Sequence, residues 1–92
     1  MRHHILVKWK EDAAKPDTRE IQAIFEEALA IPGVLSVSLH PNVIERSNRY
    51  DLLILLCMER GALEAYDASA AHHRWKEEYG GKIAQKAIFD CE

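Results

Sequence analysis

A chain of 92 residues with 48% hydrophobic and 29% charged side chains has apolar material for one core and charge for a wetted surface, which leaves no room for a second domain. The formal net charge of −3, with acids and bases interspersed, offers no basic stripe to a phosphate backbone and argues against nucleic acid as a partner, while no apolar run reaches membrane-spanning length. Cys57 and Cys91 lack metal-type or redox-type spacing, and the four residues before the first apolar stretch cannot form a signal peptide, so the expectation is a cytoplasmic protein with reduced thiols and no membrane partner.

In chain order, His4 to Trp9 (HILVKW) is rich in β-branched and aromatic residues and predicts a first strand, followed by a polar loop over residues 10–15. Asp17 and Glu20 resemble a capping box after Pro16, and Ile21, Ile24, Phe25, Ala28 and Leu29 recur at helical spacing, so an amphipathic helix is expected there. Pro32-Gly33 ends it. The stretch Val34 to Leu39 alternates as a strand, with Leu35, Val37 and Leu39 on one face and Ser36 and Ser38 on the other. Pro41 and the polar residues 45–49 predict a longish loop, placed to overhang a pocket mouth, before Tyr50 opens a third strand. That strand carries seven consecutive apolar residues, Leu52 to Met58, and is therefore apolar on both faces. Two helical pieces follow, Ala62 to Tyr66 and Ala71 to Tyr79, with a break over residues 67–70, and Trp75 and Tyr79 lie on the His72 side of the second piece. Gly80-Gly81 stops it. A last strand, Lys82 to Phe89, alternates loosely, with Ile83, Ala87 and Phe89 on one face and Ala84, Lys86 and Ile88 on the other.

The order βαββαβ, with right-handed crossovers, places strands one and three at the centre of a four-stranded antiparallel sheet, strands two and four at its edges, and both helices on one face. This is an α+β, ferredoxin-like fold formed by one domain over residues 1–92. Helices cover one face of the apolar strand, and the expected cover for the other is a second copy of the chain, two sheets closing a dimeric barrel. A chain this short buries only about 60–65% of its unfolded surface, so association that hides more apolar area adds stability.

Five histidines, His3, His4, His40, His72 and His73, are the first candidates for chemistry. Adjacent histidines on a strand point to opposite faces and on a helix lie about 100° apart, so neither pair chelates a metal within the chain, and no metal site or cofactor is expected. The more specific constellation is Tyr66 with His72, six residues apart across the expected helix break. A phenol orienting an oxygen beside a neutral imidazole that accepts a proton suits proton-transfer chemistry. The plainer alternative has Tyr66 packed on the sheet and His72 bonded to a backbone carbonyl. Trp75 and Tyr50 are the expected ligand contacts.

The whole chain resembles the stress-responsive α/β barrel (Dabb) domain family. The resemblance rests on His3 followed by ILVKWK, on Pro32-Gly33-Val34, on Pro41-Asn42-Val43 before Arg49-Tyr50-Asp51-Leu52, and on Leu63-x-x-Tyr66 with Ala71-His72. It implies a ferredoxin-like monomer that pairs into a dimeric α+β barrel. A plant polyketide cyclase of that family uses a tyrosine and a histidine in a Tyr-x-x-His-Pro-Ala-His segment for an intramolecular aldol cyclisation. Tyr66 and His72 match those catalytic positions, and His3 matches a histidine facing the cleft from the first strand. The chain departs where the family segment reads His-Pro-Ala-His and this one reads Ser69-Ala70-Ala71-His72, and Leu52 stands where the cyclase has a further histidine. Three readings follow: a binder of, or enzyme for, a small phenolic or β-keto molecule, acting as a cofactor-independent cyclase, lyase or isomerase; a non-catalytic, stress-associated stable dimer; and, on analogy of fold alone, a cofactor-independent monooxygenase.

Overall fold

The alternation of the first strand sorts His3, Ile5, Val7 and Trp9 to one side and Arg2, His4, Leu6 and Lys8 to the other, and a computed structural model of residues 1–92 buries the first set under helices. The elements run β1 (Arg2–Trp9), α1 (Thr18–Glu26), β2 (Val34–Pro41), β3 (Leu52–Met58), α2 (Leu63–Asp67), α3 (Ala70–Tyr79) and β4 (Ile83–Cys91). All strand pairs are antiparallel and the sheet order is β2-β3-β1-β4, so the apolar β3 sits in the interior of the sheet as its composition requires. The fold is ferredoxin-like, βαββαβ, with the second helical segment in two pieces.

The two longer helices, α1 and α3, start where side chains supply hydrogen-bond acceptors. Asp17 caps α1 by accepting from the Arg19 amide, and Ser69 caps α3 by accepting from the His72 amide. The α1 stripe of Ile21, Ile24 and Phe25, continued by Ala28, is buried, and α3 contributes Ala71, Trp75 and Tyr79. With β1, β3 and the residues Val34, Ala62 and Tyr66 they form a core of 17 residues.

Three side chains fall on other faces than their spacing suggested. A bulge between Val34 and Ser36 inserts one extra residue opposite β3, so Val34 enters the core and Leu35 is 67% exposed. A second irregularity pairs Lys8 with Gln85 but Trp9 with Ile83, which puts Ile83 against the core instead of on the Ala87 and Phe89 side. Leu29 leaves the helical stripe because residues Glu27–Ala30 tighten to three residues per turn.

The register defines the sheet face without helices. Across it run the rows Ala87, Leu6, Leu53, His40 and Phe89, His4, Leu55, Ser38, followed by Cys91, Arg2, Cys57. Leu53, Leu55 and Cys57 are half-buried and Phe89 is 62% exposed. The apolar strand's second face is therefore open in the single chain. No helix is long and apolar enough to cross a membrane.

Gly33 sits in the left-handed region at φ 93°, and a Cβ there would meet the Ala62 Cβ at 3.0 Å. Gly33→Ala is expected to destabilise the fold by about 1–3 kcal/mol, because an L side chain is strained at that φ and contacts a close neighbour; denaturant unfolding checks it.

Candidate functional site

The helices cover β1, β2 and β3 more fully than the edge strand β4. On the helix side of β4 the residues Lys86, Ile88 and Asp90, paired with Val7, Ile5 and His3, remain exposed. They floor a cleft of about 310 Å³, walled by Leu63 and Asp67 of α2 and by His72, Trp75 and Lys76 of α3. The two-residue break between the helices, Ala68 and Ser69, positions its chemistry. Ser69 donates its hydroxyl hydrogen to the Tyr66 carbonyl at 2.6 Å and accepts from the His72 amide, tying the end of α2 to the start of α3.

This turn brings the Tyr66 and His72 rings to 5.1 Å between centroids. His72 Nδ1 lies 2.8 Å from the Asp67 carbonyl oxygen. A carbonyl oxygen only accepts, so Nδ1 carries the proton and Nε2 of the neutral ring keeps its lone pair. Burial pulls the His72 pKa below its ordinary value; the hydrogen bond to Asp67 and the Asp67 charge oppose this, and Lys76 and Lys86 add to it. Near neutral pH the ring is thus an uncharged proton acceptor. Tyr66 is fully buried, and its hydroxyl has no hydrogen-bond partner. Burial first, and the Asp67 charge second, push its phenol well above the ordinary tyrosine value, so it stays protonated, and it packs beneath His72 without itself lining the cleft.

His3 is buried on the other side of Tyr66, edge-on to it at 5.6 Å, and its Nδ1 is 2.5 Å from an Asp90 carboxylate oxygen. His3, Tyr66 and His72 are therefore brought together. Trp75 lines the cleft but is 2% exposed and packs against Phe25 and Tyr79, so most of its ring belongs to the core. Tyr50 is not brought to this site. It precedes β3 and lines a separate hollow of about 370 Å³ with Leu6, His40 and Leu53, at one end of the helix-free face. A strand reverses side-chain direction at every residue, and the chain reaches β3 from the other end of the sheet. The loop over residues 45–49 does line a hollow of about 520 Å³, but this lies at the Trp9 end of β1, away from His3 and His72.

Asp90, Lys76 and Lys86 were not among the residues expected from sequence. A carboxylate closing an otherwise apolar strand end (Ala87-Ile88-Phe89-Asp90) was the available signal for Asp90. Its partner stands 87 positions away, and only the β1–β4 register joins them.

No family model matches the sequence, and no curated protein does. Among solved structures the chain is similar to a dimeric ferredoxin-like protein of unknown function from Jannaschia sp. CCS1, with 22% identity, a TM-score of 0.78, and 99% of this chain and 96% of that one covered. It is also similar to a Dabb family protein with a ferredoxin-like fold from Mesorhizobium loti, at 13% identity and a TM-score of 0.71 over 99% of this chain and 93% of the other. A hydroxynitrile lyase from Passiflora edulis shares 11% identity at a TM-score of 0.72, over 96% and 87% of the two chains. At such identities the likeness carries the fold, and it is the ferredoxin-like fold that the Dabb resemblance implied.

The lowered His72 pKa has a sign that stability measurements can read. The folded state binds this proton less readily than the unfolded chain, so protonation of the ring opposes folding, and the penalty sets in as pH falls through the unfolded value near 6.5. His72→Gln is expected to lose less stability than the wild type between pH 8 and pH 5, as followed by denaturation midpoints at both pH values.

Proposed function

We propose that the protein works as a homodimer joined through the helix-free sheet face, and that the cleft between α2, α3, β1 and β4 binds a small phenolic or β-keto molecule. In this reading His72 is the base and Tyr66 the orienting donor, with His3 beside the bound molecule. One observation carries it: the Tyr66 ring, whose buried hydroxyl stays protonated with no partner, packs 5.1 Å from a neutral imidazole that lines the cleft and whose Nε2 is an acceptor. An unpaired buried hydroxyl costs about 1–3 kcal/mol, a cost that a ligand oxygen would relieve.

The chemistry follows from the two groups. Nε2 takes the proton from an acidic carbon next to a carbonyl; the C–H electron pair passes into the enolate, and the enolate oxygen accepts from the Tyr66 hydroxyl. The imidazolium then returns the proton to product. General-base catalysis of this kind contributes about 10²–10⁴-fold, and the step needs side chains alone. Cyclisation and isomerisation each contain such a step, whereas decarboxylation reaches the same kind of enolate by loss of CO2 and shares only its stabilisation and protonation.

Two observations support the homodimer. Leu6, Leu53, Leu55 and Phe89, in two neighbouring rows of the sheet, leave a largely apolar face without cover, and the similar Jannaschia protein is described as dimeric. Leu55→Glu is expected to give monomer or aggregate in light scattering, and a monodisperse dimer from that variant would overturn the pairing.

For the cleft, phenols and β-keto compounds, neutral and carboxylated, are to be screened by thermal shift against wild type and His72→Ala. The expectation is a rise of a few degrees for at least one compound in wild type, following from mass action on the folded state, and none in the variant. No shift from any compound, together with a His72→Ala protein less stable than wild type, would favour a non-catalytic stable dimer instead.

A further inference from the structure

The cleft beside His72 does not end at α3. A second hollow, about 370 Å³, continues between α3 and β4 towards Gly80 and Ile83, and the two share Trp75, Lys76 and Lys86. Together they make one groove along the uncovered helix side of β4. Lys76 reaches it from α3 and Lys86 from β4, so the two cations face the same stretch from opposite walls. Neither takes part in any ion pair of the fold. Of the two acids lining the groove, Asp90 is held by His3, and Asp67 lies at the other end, where its backbone carbonyl holds His72.

Spacing on α3 fixes where an anion would lie relative to the base. Lys76 follows His72 by four residues, so the two share one helix face about one turn, ~5.4 Å, apart along the axis. After burial and the opposing effects of Asp67, the two lysines contribute to lowering the His72 pKa, which agrees with their charges facing the ring. A ligand whose proton is at His72 Nε2 therefore meets an ammonium pair one helical turn further along.

We propose that the groove selects carboxylate-bearing molecules, with Lys76 and Lys86 clamping the carboxylate and His72 facing the reacting end. This rests on the reading of the cleft as a ligand site, and it narrows the ligand from a phenolic or β-keto molecule to the carboxylated members of that class. Lys76 and Lys86 are specificity-determining residues here, and they touch no reacting atom. Both side chains are solvent-exposed, so their replacement leaves the core intact.

The test uses two probes that differ by one group, 2,4-dihydroxybenzoate and resorcinol, titrated calorimetrically into wild type and into the Lys76→Gln/Lys86→Gln double variant. Wild type is expected to bind the benzoate about five- to tenfold more tightly than resorcinol, the range that one or two partly solvated charge pairs supply. That advantage should shrink with added salt and vanish in the double variant, with resorcinol binding unchanged. Equal binding of both probes to wild type, or an advantage that survives in the double variant, overturns the clamp while leaving the cleft reading in place. Binding of neither probe overturns both.

Discussion

The structure depends on one constraint: β3 is apolar on both faces and must be covered twice. Placing it between β1 and β2 satisfies its backbone groups on both edges, and α1 and α3 cover Leu52, Ile54, Leu56 and Met58. The alternate set, Leu53, Leu55 and Cys57, is left on a face that also carries Leu6, Ala87 and Phe89. A sheet with one side of this composition has a reason to pair with its own copy, since the same surface is complementary to itself about a two-fold axis.

The cleft is a by-product of the same arrangement. One layer of helices does not span all four strands, and the edge strand β4 is the one left short of cover, with Ile88 49% exposed on the helix side. What converts a gap into a site is the break after Asp67. Without it, α2 and α3 would run as one helix, in which residues six apart lie about 120° from sharing a face. The Ser69 turn instead brings the Tyr66 and His72 rings into contact range, and it leaves the Asp67 carbonyl free to fix the histidine tautomer. A serine that caps a helix thus helps to fix which ring nitrogen of His72 carries the proton.

The edge strand also explains why the charges of the cleft look as they do. His3 is buried because β1 is central, whereas its partner Asp90 keeps a 37% exposed side chain because β4 is not. Lys86 lies two strand positions from Ile88 on the same side, and Lys76 one helical turn from His72, so the groove carries a graded wall: a buried aromatic and imidazole end, then an apolar floor, then two ammonium groups at solvent.

Element order, the central place of β3, the Asp17 cap of α1, the break before His72 and the pairing of Tyr66 with His72 were all legible in the sequence. Each is encoded locally, by apolar periods of 2 and 3.6, by Asp17 at the start of α1, and by Pro32-Gly33 between elements, whereas the Ser69 cap of α3 is seen only in the structure. The misplaced faces of Leu35 and Ile83 came from bulges, which shift a period-2 pattern by one residue without altering composition. Tyr50 was grouped with the site although it lies beside another hollow, because a sequence gives an order along the chain and not an end of the sheet. The Asp90 partner of His3, and the meeting of Lys76 with Lys86 across one groove, exist only through the β1–β4 register and the packing of α3 over it. Periodicity is a property of neighbours in the chain, whereas a site is assembled from residues up to 87 positions apart, and only the folded sheet decides which of them face one another.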